Sequence, residues 1–350
     1  MKISSLITNW YSKHKRDLPW RETKNPYFIW VSEVILQQTR IKQGIHYYNN
    51  FINKFPNIFA LANTTLDEVM ITWQGLGYYS RARNMHSTSK EIAENFNGQF
   101  PETFEELKKL KGIGDYTTAA IASFAFNKAV PVVDGNVFRV LARLYGIYES
   151  TQLSSGKKIF YQKANELIDI KDPATYNQAI MEFGALQCTP KNPNCSSCPL
   201  NLICFAFIHN TISELPLKKA KIKKRNRYFY FIHITYKNHL FIEKRNRNDI
   251  WEMLYQFPLI ELNEETDIKT ILSHPKWIKL FETINYKLNP KLIKKKHILS
   301  HQNIFSSFIK IEILNINDYL KNNYIKTTIK DIKNYSIPRL IESYIQQLDK

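Results

Sequence analysis

Glu33, Asp134 and four cysteines are the residues of this chain whose types and spacing could do chemistry. Glu33 stands in W-V-S-E-V-I-L-Q-Q-T and Asp134 in V-D-G-N-V-F-R. Two carboxyls can divide the work of acid and anion when their surroundings push their pKa values apart. All four cysteines fall in one short stretch, Cys188, Cys195, Cys198 and Cys204, spaced C-x6-C-x2-C-x5-C. Four thiolates so gathered suit a metal site, either a four-iron cluster or zinc, better than scattered disulfides. Gly112 and Gly114 flank one apolar residue in L-K-G-I-G-D-Y. Such a pair lets the backbone turn sharply and sets its N–H groups beside a new helix N-terminus, where an anion is stabilised.

The elements that must hold these residues read as mostly helical. Residues 3–16 form an amphipathic opening helix, broken by D-L-P-W-R at 17–21. Residues 26–40 run as one helix with Pro26 in its first turn. On it Val31, Val34, Ile35 and Gln38 share a stripe. Glu33 lies off that stripe, beside Trp30 and Gln37, and these neighbours should desolvate its carboxyl and raise its pKa. Leu107 and Leu110 close a helical segment before the glycine pair, and a small-residue helix starts at Asp115 or Tyr116. A strand-like run, Val130 to Val133, gives way to a further helix at Asp134, whose capping role and helix dipole should favour its anion. Residues 45–72 and 84–110 read as further helices, with a capped start near Thr65. Between them G-L-G-Y-Y at 75–79 reads either as a helix C-cap with buried tyrosines or as a turn that presents an apolar and aromatic wedge.

Composition sets the bounds. A chain of 350 residues with 44% hydrophobic content suggests two domains with real cores. The net charge of +18 calls for an anionic partner, for which DNA phosphate is the natural choice. Residues 1–210 carry 23 basic against 17 acidic side chains, and residues 211–350 carry 26 against 14. Neither a signal peptide nor a membrane span is expected, since no apolar run approaches about 18 residues. Residues 217–227 form a basic linker, after which two strands read around Lys237-Asn238.

Taken in order, L-P-W-R, W-V-S-E-V-I-L-Q-Q-T, G-L-G-Y-Y-S-R-A-R-N, L-K-G-I-G-D-Y-T, V-D-G-N-V-F-R-V-L-A-R and F-G-A-L-Q-C resemble adenine DNA glycosylases of the MutY family. Hairpin and aspartate together are similar to the helix-hairpin-helix superfamily that includes endonuclease III. The resemblance implies a mostly α fold, a helix-hairpin-helix glycosylase domain over 1–216 with its cysteine loop. It implies a smaller α+β MutT-like (Nudix-like) domain over 228–350. The implied activity is base-excision repair, removing adenine opposite 8-oxoguanine or guanine from double-stranded DNA. The cysteine spacing is that of the family's [4Fe–4S] loop, which selects iron over zinc.

Residue by residue, the resemblance makes Glu33 the acid that protonates adenine and Asp134 the stabiliser of the oxocarbenium-like sugar, oriented by Asn136. Arg21, Trp20 and Gln178 match positions lining the adenine pocket. Gln38 and Tyr78 match intercalators, with Thr39 and Leu76 beside the orphaned base, and Gly112 and Gly114 match the phosphate-binding hairpin. Tyr116 stands where endonuclease III carries its lyase lysine, so a monofunctional glycosylase is expected; a bifunctional lyase and a non-catalytic iron–sulfur DNA-binding protein are the rivals. Leu299-Ser300-His301 matches the family's F-S-H loop that reads 8-oxoguanine, with Leu in place of Phe. No R-E-x-x-E-E segment occurs, so the second domain reads as a recognition module. The chain is expected to act as a monomer in the bacterial cytoplasm, on the nucleoid.

Overall fold

Local capping rules set most of the helix starts. In the computed structural model, Asn25 accepts from the Tyr27 N–H, Thr65 from Glu68, Thr103 from Glu106 and Asp134 from Asn136 and Val137. Each side-chain oxygen satisfies an N–H that the first turn leaves without a partner. The structure describes residues 2–217, 224–246, 248–289 and 291–348. The lysines at 218, 219, 221 and 223 of the basic linker lie outside these residues. Among the described residues no helix is long and apolar enough to cross a membrane.

Contacts divide the chain into two units, Met1–Thr64 with Asn84–Ala220 and Thr65–Arg83 with Lys221–Lys350. The first is helical. Its core joins the opening helix Ile3–His14 to Gly135–Tyr145 and Pro173–Leu186, with Ile7, Trp10, Val137, Leu141, Ile180 and Phe183 buried together. The hairpin consists of Phe104–Lys109 and Asp115–Phe124. Gly112 turns it at φ 78, where a Cβ would meet Asn84 at 2.6 Å, so this position excludes a side chain on two counts.

Two expectations of the sequence are corrected. The helix predicted over 26–40 is Pro26–Leu36; the chain leaves it at Gln37, and Gln38 takes a left-handed φ of 58 before the next helix, Ile41–Lys54. The run Val130 to Val133 forms no strand among the described residues. The Asn177 side chain supplies the missing partner: its Oδ1 accepts from the Val132 N–H at 3.0 Å, and its Nδ2 donates to the Val130 carbonyl at 2.8 Å. One buried amide therefore satisfies backbone groups that a neighbouring strand would otherwise meet.

The second unit is a mixed sheet with helices. β1 (Arg225–Tyr236), β2 (His239–Lys244), β3 (Tyr255–Gln256), β4 (Leu259–Leu262), β5 (Tyr286–Leu288), β6 (Ile293–Ile298), β7 (Gln302–Ile313) and β8 (Ile325–Thr328) form it. The path runs β3-β2-β1-β7-β5, with β4 on β1, β6 on β7 and β8 on β2. β1 and β7 are parallel and central, in register from Arg225 opposite Gln302 to Thr235 opposite Glu312. β1 is covered on both faces, which explains its unbroken apolar run. Tyr230, Ile232 and Ile234 pack with Trp277 and Leu280. On the other face Phe231 stacks on Phe308, and Phe308 on Tyr344 of the helix Arg339–Leu348. Residues 65–83 are tied to this unit by Asp67, which takes the Lys244 ammonium at 2.6 Å and the Tyr255 hydroxyl at 2.9 Å.

Candidate active site

The Pro26–Leu36 helix is buried along most of its length, and Glu33 is buried with it, at 7% exposure. Trp30 packs edge-on against Phe100 within the core. The group that reaches Glu33 is Tyr116, whose hydroxyl donates to Oε2 at 2.6 Å from the first turn of the hairpin's second helix. Burial pushes the Glu33 carboxyl up to about 7, against the lowering effect of the Tyr116 bond, and the Asp134 charge pushes the same way. Burial and the Glu33 charge hold the Tyr116 phenol well above its ordinary range.

Asp134 caps the Gly135–Tyr145 helix. Its Oδ1 accepts from the N–H groups of Asn136 and Val137, both at 2.8 Å, and its Oδ2 from Asn136 Nδ2 at 2.8 Å. Here the expectation of a lowered pKa is corrected. Burial raises the carboxyl above its ordinary value, and the three hydrogen bonds only hold that rise back. The two acids therefore differ in their donors: Glu33 has one phenol, while Asp134 has three donors at a helix N-terminus.

A cavity of about 1020 Å³ joins them. Glu33, Tyr116, Asp134 and Asn136 line it, as do Trp20, Arg21 and Gln178, with Gln38 and Thr39 on its wall. Gln178 Oε1 accepts from the Tyr11 hydroxyl at 3.0 Å, which fixes how its amide is turned. The sequence reading missed Glu182, the anchor of this wall. Arg16 and Arg21 both close on its carboxylate, at 2.6 and 2.7 Å, and Arg21 also donates to the Arg16 carbonyl at 3.0 Å. Although burial raises it, these donors hold Glu182 down to about 2. Glu182 follows Gln178 by four residues on the Pro173–Leu186 helix, and that spacing was the signal available for finding it.

The remaining residues singled out from the sequence lie outside this cavity. Gly112 and Gly114 form the exposed hairpin turn, and no side chain caps the helix that follows. Leu76 and Tyr78 sit on the 75–79 turn of the second unit, where Gly75, Gly77 and Tyr78 all have positive φ. Trp73 Nε1 and Arg81 Nη2 both donate to the Gly77 carbonyl, leaving Tyr78 46% exposed. Ser300 and His301 are exposed on the β6–β7 turn, 3.1 Å apart through Oγ and Nδ1.

The four cysteines converge closely enough for their charges to act on one another. Burial pushes the Cys198 thiol up to about 11 and raises Cys195 and Cys204. Arg143 lies 3.4 Å from Cys188 Sγ, and the Leu200 N–H donates to Cys198 Sγ at 3.4 Å. Among the described residues no three His, Cys, Asp or Glu side chains are grouped tightly enough to hold a single metal ion. Arg139 ties this loop to the helix cap: its Nε donates to the Cys188 carbonyl at 2.7 Å and its Nη2 to Asn136 Oδ1 at 2.8 Å.

Residues 31–169 match the HhH-GPD superfamily of base excision DNA repair proteins, and residues 229–347 match the NUDIX domain. An adenine DNA glycosylase of Buchnera aphidicola from Schizaphis graminum is 40% identical over 357 residues, covering 98% of each chain. The chain belongs to the adenine DNA glycosylase family. The human adenine DNA glycosylase is 42% identical over 209 residues, 57% of this chain and 38% of its own length. Among solved structures, a thermostable thymine-DNA glycosylase aligns at a TM-score of 0.55 and 27% identity, over 59% of this chain and 95% of its own. An endonuclease III–DNA complex aligns at 0.51 and 22% identity, over 59% and 94%, which speaks for the fold. The helical unit of this adenine DNA glycosylase family member thus has the endonuclease III-like fold, and the NUDIX match falls on the sheet.

Proposed function

We propose that the chain excises adenine paired with 8-oxoguanine or guanine in double-stranded DNA by hydrolysing its N-glycosidic bond. The observation that carries this reading is Glu33, a buried carboxyl titrating near 7, in one cavity with the capped Asp134. Adenine leaves poorly as an anion, so the base must gain a proton as the bond to the sugar breaks. Glu33 gives that proton to the adenine ring. Asp134, held by Asn136 and two backbone N–H groups, stabilises the positive charge that develops on the sugar. Arg21, Trp20 and Gln178 enclose the base, and the Glu182 carboxylate keeps Arg21 in place.

Tyr116 supports a monofunctional reaction, because a phenol cannot form the Schiff base through which a lysine at this position cleaves the strand. Its role is to hold Glu33. Gly112 and Gly114 accept a DNA phosphate; Gln38 and Tyr78 fill the gap left by the extruded base, flanked by Thr39 and Leu76. Ser300 and His301 read the 8-oxoguanine. Cys188, Cys195, Cys198 and Cys204 would hold a [4Fe–4S] cluster, whose positive iron would favour their thiolate forms in this buried loop. The chain works as a monomer on the nucleoid.

Single-turnover adenine release from a duplex with A opposite 8-oxoguanine, with A:G and A:T controls, tests this reading. The expected result is release favouring 8-oxoguanine, strand breaks only after alkali, and loss of release in Glu33→Gln. Breaks before alkali would restore the lyase, and full activity in Glu33→Gln would name another acid.

A further inference from the structure

Between Tyr286 and Gln302 the chain carries five lysines and two histidines and no acidic residue. Much of this charge sits on β6, which pairs with β7 from Ile293 opposite Phe308 to Ile298 opposite Asn303. Alternation sends Lys295 and His297 to one face and Lys294 and Lys296 to the other. A cleft of about 460 Å³ opens against β6, lined by Lys295, Lys296, His297, Arg339, Leu340 and Ser343. No carboxylate lines it. Lys294, outside the cleft, has an ion pair, with Glu265 at 2.8 Å. Lys295 donates to the Ser343 carbonyl at 3.2 Å, and Lys296 lies 5.0 Å over the Phe305 ring. Among the described residues neither lysine nor Arg339 meets a carboxylate.

Lysines on an edge strand commonly guard against sheet-to-sheet pairing, and that role accounts for Lys294 and Lys296. It does not account for Lys295 or for Arg339, which starts the helix Arg339–Leu348 and brings a second cation to the cleft. Two unneutralised cations at one opening, Lys295 and Arg339, repel each other, and an anion bound between them removes that repulsion.

We propose that this cleft seats a backbone phosphate of the DNA strand whose base the Leu299–His301 turn reads. The proposal rests on the recognition role given to that turn above. Position 297 lies two residues from 299, roughly 7 Å of extended chain, or about two base steps along one DNA strand. The turn itself is fixed by backbone: the Leu299 N–H donates to the Gln302 carbonyl at 2.8 Å, and Lys224 Nζ donates to the Leu299 carbonyl at 2.8 Å. Base and phosphate contacts would therefore be held in one register by one hairpin, the phosphate positioning and the turn specifying.

The test uses the full chain, wild type and the double variant Lys295→Gln, Arg339→Gln. Affinity for a duplex holding 8-oxoguanine opposite a non-hydrolysable adenine analogue is measured across a salt series. Loss of one phosphate contact should lower the slope of log K against log salt by about 0.9. The charge-conserving double variant, Lys295→Arg, Arg339→Lys, should keep the wild-type slope. A single methylphosphonate within about two or three nucleotides of the lesion should weaken the wild type and leave the glutamine variant unchanged. An unchanged slope, an equal drop in both double variants, or a methylphosphonate effect confined to the adenine strand overturns the proposal. If wild type shows no preference for 8-oxoguanine while the slope still falls, the recognition reading of the turn has failed and the phosphate cleft has not.

Discussion

Both units contain a buried ionic knot, and the two knots serve different ends. In the helical unit Arg16 and Arg21 share Glu182, and all three residues line the large cavity. In the sheet unit Arg227 and Arg245 share Asp249, at 2.7 and 2.8 Å, with Glu261 beside Arg227 at 2.6 Å. Both guanidinium groups flank the buried Phe229 ring, at 4.9 and 5.5 Å, so this knot staples β1 to β4 and to the loop after β2. The turn proposed to read the lesion, Ser300 and His301, is exposed, and the Leu299 N–H donates to the Gln302 carbonyl across it. Chemistry that needs a shifted pKa requires burial and a closed network. Recognition of a base edge requires exposed donors on a rigid turn.

The comparison breaks most visibly at Glu33. Glu33→Gln should lower single-turnover adenine release by about 10²–10⁴-fold. The same change should stabilise the fold at neutral and higher pH. The folded carboxyl titrates near 7 against 4.5 for the free group, so the folded state binds the proton more tightly. Stability is therefore lost as pH rises from 4.5 to about 7, by about 3 kcal/mol at about 1.4 kcal/mol per pKa unit. Denaturant melts at pH 8 and pH 4 should show a gap between variant and wild type that closes at the lower pH. A gap of equal size at both would mean the carboxyl is not buried as described.

Glu182→Ala comes next. It leaves two guanidinium groups without their shared anion, and a loss of about 3–5 kcal/mol is expected in equilibrium unfolding. Because Glu182 is held to about 2, its contribution is full above the free-group value of 4.5 and is lost as pH falls toward 2. A smaller, graded effect is expected from pH alone: release should decline about tenfold per unit above pH 7, as Glu33 gives up its proton. Rates that stay flat to pH 9 would exclude Glu33 as the acid. The smallest effect belongs to the turn. Ser300→Ala and His301→Ala should each lower the preference for A:8-oxoguanine over A:G by about 1 kcal/mol, roughly fivefold, with release from A:G retained.

Much of this was legible from residue types and order. The G-I-G break placed the hairpin, the Thr65 and Asp134 caps marked helix starts, and the apolar and aromatic runs either side of Lys237-Asn238 announced β1 and β2. These features are local: caps, glycine turns and periodicity act within a few residues, so a single sequence carries them. What failed was also instructive. Nothing within residues 26–40 signals the left-handed Gln38 that ends the helix at Leu36, and nothing beside Val130 to Val133 reveals that Asn177, over forty residues later, would replace a strand.

Sequence alone also named both carboxyls, yet it misjudged one. Capping argued for a lowered Asp134, and only the packing around it shows that burial outweighs three hydrogen bonds. The partners that define each acid, Tyr116 for Glu33 and the Arg16–Arg21 pair for Glu182, lie 83 and more than 160 residues away in the chain. Residue type and local spacing determined which groups could do chemistry. Desolvation and long-range hydrogen bonding, which exist only once the chain has folded, decided how each of those groups is charged.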